Sequence, residues 1–125
     1  MRNRQLEIGV ALLLAFILCA CGASQRKKTI RATFDTTTIA ADALVGFARA
    51  HEEAILEAGT SKEAVEADIK AFRIKVDHAE RTIAAVYRMT AAAALANDDP
   101  SLSALLKVAG TLWTELNELG VRAGP

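Results

Sequence analysis

Cysteine is almost missing from this chain, which has two, Cys19 and Cys21, and none beyond them. A disulfide framework and a thiolate metal site are therefore excluded for everything that follows Cys21. Proline is as sparse, at Pro100 and Pro125 alone, so long helices can run unbroken. Neither sign of charge dominates, with 15 Lys+Arg against 15 Asp+Glu. That balance provides no global field to favour nucleic acid or another polyanion. No His-Glu-x-x-His, glycine-rich phosphate loop or nucleophile elbow occurs. The Glu-x-x-His motif of carboxylate-bridged metal bundles is missing too, because Ala48 precedes His51 by three and Lys75 precedes His78 by three. Ser61, Ser101 and Ser103 sit where helices start and do not read as nucleophiles. The expectation is a non-enzyme with no catalytic residue, no metal site and no cofactor.

The one long apolar run lies near the N-terminus. Arg2 and Arg4 precede it, partly offset by Glu7, and it extends from Ile8 to Leu18, with small Ala20 close behind. Basic residues, apolar core and small residue in that order make a secretory signal. The run is too short for a spanning helix, which needs roughly 20 residues. Leu18-Cys19-Ala20-Cys21 resembles the lipobox of bacterial lipoproteins, with Ala20 at the small position and Leu18 three residues before Cys21. Cys19 is an uncommon occupant of the middle of that box. The resemblance implies a signal peptide over residues 1–20, acyl chains on Cys21 and a place in the cell envelope. Gly22, where an Asp would signal inner-membrane retention, implies the periplasmic face of the outer membrane. An uncleaved signal anchor and a cleaved soluble protein are the other readings. Arg26, Lys27, Lys28 and Arg31, just beyond the run, argue against a cytoplasmic N-terminus and so against the anchor.

Beyond Cys21 the chain is rich in alanine, and its apolar residues recur at helical spacing. Residues 21–29 read as a basic tether, with Arg26, Lys27, Lys28 and Arg31 placed to meet a membrane surface. A helical domain follows over 30–120, with helices at about 30–58, 60–96 and 100–119, and a tail at 121–125. In the first helix Ile30, Phe34, Thr37, Ala41, Leu44, Ala48, His51 and Ile55 form a four-three seam. Thr36, Thr37 and Thr38 are mediocre helix formers and predict fraying there. Gly59 fits a left-handed helix end, and Thr60-Ser61-Lys62-Glu63 fits a capping box with Thr60 as the cap.

The second helix repeats the spacing at Val65, Ile69, Phe72, Val76, Ala79, Ile83, Val86, Thr90 and Ala93. Its half from Thr82 to Ala96 has Arg88 as its only charge, so it needs cover on more than one side. Asp99 as cap and Pro100 open the third helix, whose stripe is Leu102, Leu105, Leu106, Ala109, Leu112, Trp113, Leu116 and Leu119. Gly120 ends it, with Val121 packing back on Leu116. The expected fold is all-α: a long antiparallel hairpin with a shorter third helix folded against it, a three-helix bundle after an N-terminal signal peptide.

Two histidines and a patch of acids remain as candidate groups. His51 reads as a partly buried packing residue. His78 reads as part of a solvated face, beside an Asp77–Arg81 ion pair. At the hairpin tip Glu52, Glu53, Glu57, Glu63 and Glu66 outnumber the nearby cations and are the candidate contacts for a protein partner. Phe47 and Ile74, off the main seams, suggest self-association or a partner helix.

The stretch Phe47-x-x-x-His51-x-x-x-Ile55, then Ala58, Ser61, Glu63, Ala64, Phe72-Arg73 and Tyr87 before the alanine run, resembles small lipoproteins of proteobacteria and prophages that carry no assigned activity. The likeness covers roughly Ala43 to Ala96. It implies a phage or mobile-element origin, and with it lysis in the manner of an outer-membrane spanin subunit, or exclusion of superinfecting phage. The leading expectation is a membrane-anchored periplasmic lipoprotein that works as a non-enzymatic helical interaction or structural module. A small-ligand carrier built around Trp113 is a further alternative.

Overall fold

The computed structural model describes residues 22–121. Three helices account for nearly all of them: α1 (Ala23–Ala58), α2 (Lys62–Ala96) and α3 (Asp99–Leu119). The chain is an all-α three-helix bundle. Helix α2 is the central element, packed along α1 on one side and along α3 on the other, while α1 and α3 meet over a shorter stretch. No described helix is long and apolar enough to cross a membrane.

Helix α3 depends least on its neighbours for its identity. Asp98 is its cap, accepting the Ser101 N–H at 2.8 Å, and Pro100 sits in the first turn. Hydrogen bonds from the Ser101 hydroxyl and N–H hold the Asp98 carboxyl below its usual pKa, and Arg26 adds to the effect. The cap lies one residue before the expected Asp99, which is the first helical residue and an anion at the positive helix end. At the other end Gly120 takes φ 90°, and the Val121 N–H reaches the Leu116 carbonyl at 2.9 Å. This is the Schellman ending, and it returns Val121 to the core at 2% exposure.

Helix α2 starts from Ser61, whose hydroxyl accepts the Ala64 N–H at 3.2 Å. Ser61, not Thr60, is therefore the cap. Helix α2 ends at Asn97 in the left-handed conformation, its N–H bonded to the Ala93 carbonyl at 2.8 Å. Gly59 departs from expectation. Its φ is −67°, so no left-handed turn requires glycine there. The requirement is room: a Cβ on Gly59 would collide with the Val65 Cγ2 methyl and press on the Ile55 carbonyl.

The stretch read as a tether is helix. Residues 23–29 form the first two turns of α1, and Thr29 is fully buried. The start carries no side-chain cap and no acid in its first turn, so local sequence does not signal it. Tertiary contact does. Arg26 donates from Nη1 to Asp99 Oδ1 at 3.2 Å and from Nε to Asn97 Oδ1 at 3.4 Å, tying the first turn to the α2–α3 connection.

Thr36, Thr37 and Thr38, expected to fray, are helical, and Thr37 belongs to a buried row with two earlier threonines. Thr29, Thr33 and Thr37, four apart, are all at 1% exposure or less. Each hydroxyl bonds the carbonyl four residues back, at 3.0, 2.8 and 2.7 Å, so the buried oxygens are satisfied within the helix. Ile30, Thr37 and Leu44 of the expected seam are buried, but the rest of the seam differs. Phe34, placed on it by spacing, is 43% exposed, and Thr33 and Ala40 are buried instead.

Buried residues define a body and a tip. The core is built from Ile30, Ala40 and Leu44 of α1, Ala79, Ile83, Val86 and Ala93 of α2, and Leu102, Leu105, Leu112, Trp113 and Leu116 of α3. Between Leu44 and Phe72 no residue is buried, so the hairpin beyond α3 is a two-helix extension. Phe72 closes the core there. His51 lies 4.2 Å and Phe47 6.1 Å from it between ring centroids, although His51 is exposed and not the partly buried residue expected. Phe47 is half-buried against the core and is no free apolar residue, whereas Ile74 is 64% exposed.

If Gly59 is required for room, Gly59→Ala should lower stability by about 1–3 kcal/mol in chemical denaturation, the usual cost of overpacking. Combining it with Val65→Ala should recover part of that loss. Strict additivity of the two changes in a double-mutant cycle would mean that the two positions do not touch.

Candidate functional site

Three surface regions hold the residues with chemistry: the end where α1 begins, the hairpin tip, and a cleft beside the end of α3. Cys21 and the apolar run before it lie outside the described residues. Gly22 is the extended N-cap and Ala23 the first helical residue, so the bundle begins immediately after Cys21.

The four basic residues near that start are not equivalent. Arg26, its side chain only 20% exposed, is held by Asp99 and Asn97. Arg31 pairs with Asp35 at 3.5 Å one turn on. Lys27 and Lys28 are exposed and have no ion pair among the described residues. Arg26 is thus a structural clamp, and two lysines remain available to a partner.

The glutamates of the tip divide in the same way. Glu52 accepts from Arg73 Nε at 2.8 Å across the hairpin, and Glu66 lies 3.8 Å from Lys62 on its own helix. Glu53, Glu57 and Glu63 are exposed, with no ion pair among the described residues. The hydrogen bond from Arg73 lowers the Glu52 pKa; burial opposes it, and the charge of Arg73 adds a lesser lowering. Glu52 with Arg73 therefore links α1 to α2 beside the contact that Phe72 makes with Phe47 and His51.

The cleft occupies about 380 Å³ and is lined by Ile74, Lys75, Asp77, His78, Arg81, Glu115, Glu118 and Leu119. Its least exposed charge is Glu115, with a side chain 14% exposed. The Thr82 hydroxyl donates to Glu115 Oε1 at 2.7 Å, and His78 Nε2 lies 3.6 Å from Oε2. With its proton directed at a carboxylate, the Thr82 hydroxyl is not placed for nucleophilic attack through His78. The arrangement joins α2 to α3. The Asp77–Arg81 pair expected beside His78 is present at 3.0 Å. Glu115 escaped sequence reading because it lies 33 residues from Thr82 and shares no local pattern with it.

Trp113 is a core residue at 4% exposure, and neither this cleft nor the shallow groove beside it is lined by it. A ligand-carrying role finds no support at that position. Among the described residues no three metal-ligating side chains gather. No protein-family model, no curated protein and no solved structure matches the chain.

The Glu52 carboxyl is lowered in the folded state, so its pairing stabilises the hairpin at neutral pH, and that contribution disappears as pH falls through the folded value. In a carboxyl-carbon NMR titration, Arg73→Ala should raise the Glu52 midpoint toward the ordinary glutamate value. An unmoved midpoint would show that Arg73 does not hold it.

Proposed function

We propose that the chain is a bacterial lipoprotein, attached through acyl chains on Cys21 to the periplasmic face of the outer membrane. Its helical bundle acts as a non-enzymatic interaction or structural module. The observation that carries this reading is Leu18-Cys19-Ala20-Cys21 at the end of the apolar run. The position of the first helix supports it, because Ala23 opens α1 directly beyond Cys21 and makes the bundle the anchored unit.

Function then resides at the end farthest from lipid. Helix α1 has 36 residues, which at the rise of an α-helix is about 54 Å from anchor to turn. The tip carries Glu53, Glu57 and Glu63, which have no ion pair among the described residues, a surface suited to a basic protein partner. Glu52 and Glu66, engaged within the hairpin, contribute its shape.

Labelled palmitate should enter the wild-type chain expressed in a lipoprotein-processing bacterium, and Cys21→Ser should abolish the label. Persistent labelling in that variant refutes the assignment. Lysine replacement of Glu53, Glu57 and Glu63 together should abolish capture of any partner bound by the wild type, while leaving far-UV circular dichroism unchanged. Retained capture excludes the tip as the contact.

A further inference from the structure

The C-terminal end of α2 contradicts the expectation that its apolar half is covered. Within Ala91–Ala96, Ala93 alone is buried; Ala91, Ala92, Ala94, Leu95 and Ala96 are all exposed. Leu95, at 90%, is the most exposed of the large apolar side chains. Isolated surface leucines are common. A charge-free run with five of its six residues open to solvent is a different feature, and its position gives it meaning.

That position is fixed by Arg26. Its contacts with Asn97 and Asp99 set the first turn of α1 beside the end of α2. Gly22 caps that turn, so the chain preceding the described residues ends one residue away, at Cys21. One peptide step covers about 3.8 Å. Lipid attached to Cys21 would therefore bring a bilayer against the part of the bundle where Ala91–Ala96 lies open.

The charges around this end agree. Lys27, Lys28 and Arg88 are exposed with no ion pair among the described residues. Arg88 and Leu95 are seven residues apart and share one side of α2. Of the acids here, Asp99 is paired with Arg26 and Asp35 with Arg31, while Asp98 caps α3 and keeps its charge. Apolar residues with exposed cations at the same end of the bundle suit the interface of an anionic bilayer.

We propose that Ala91–Ala96, together with Lys27, Lys28 and Arg88 at the same end of the bundle, is a membrane-contact surface that seats the bundle on anionic lipid. The proposal rests on the reading of Cys21 as acylated. Seating by two attachments, one covalent and one through the protein surface, holds the bundle in a defined orientation that acyl chains alone would leave free.

The test uses the full acylated chain in vesicles of phosphatidylethanolamine and phosphatidylglycerol. Removal of Cys19 and acylation of Cys21 leave a thiol introduced by Leu95→Cys as the only one free, and Leu56→Cys provides the same exposed probe near the hairpin turn. With a thiol-linked fluorophore and brominated lipids, position 95 should be quenched several-fold more than position 56. Equal quenching at the two positions in palmitate-labelled protein overturns the membrane-contact surface and leaves the anchor intact. An absence of quenching in the labelled protein, together with a disulfide-linked dimer when the unlabelled Leu95→Cys protein is treated with a mild oxidant, overturns it in favour of a second copy of the chain. Failure of the wild type to take up palmitate overturns the anchor and this proposal together.

Discussion

Everything in this fold depends on the leucine stripe of α3 lying against α2. Leu102, Leu105, Leu112, Trp113 and Leu116 are all at 4% exposure or less, and each burial of that size contributes about 1.5–3 kcal/mol. No comparable group exists in the hairpin beyond α3, where Phe72 alone is buried. Helix α1 packs on both α2 and α3. Its buried residues, Thr29 to Leu44, lie in the half that faces them, and the half beyond Leu44 follows as a continuation. The molecule therefore divides energetically into a body that holds itself together and an arm held by helix continuity, a half-buried Phe47 and one cross-hairpin ion pair.

How much of this is legible without coordinates differs by helix, for a physical reason. Helices α2 and α3 bury large aliphatic side chains at four-three spacing, so Phe72, Ile83, Val86, Leu105 and Leu112 are identified by periodicity alone. Helix α1 buries Ile30 and Leu44, which spacing identifies, but otherwise three threonines and Ala40. A threonine whose hydroxyl is bonded back to its own helix behaves as a small apolar group, and nothing local distinguishes it from a solvated one. Spacing therefore selected Phe34, which sits at the flank against Tyr87, 5.5 Å between centroids, and overlooked Thr33. The start of α1 was hidden for a related reason. A run of polar residues without a cap reads as linker, and the contacts that make it helical come from Asn97 and Asp99, more than 70 residues away.

The surface was less legible than the core. Charge counting identified an acidic tip and a basic start, yet it could not separate residues engaged within the fold from those open to a partner. Arg26 and Glu52 prove to be clamps, while Lys27, Lys28, Glu53, Glu57 and Glu63 stay open. The distinction rests on pairings between helices, and no single-helix pattern encodes those.

The disappearance of the tether has a mechanical consequence. A flexible linker would let the bundle rotate freely about its attachment and average over all directions. If Cys21 is acylated as proposed, helix beginning next to it makes the attachment the fulcrum of a stiff lever. Across the length of α1, a tilt of about 10° at the base displaces the far turn by roughly 9 Å. Small changes in lipid packing or curvature at the base would then arrive, magnified, at the opposite end of the molecule.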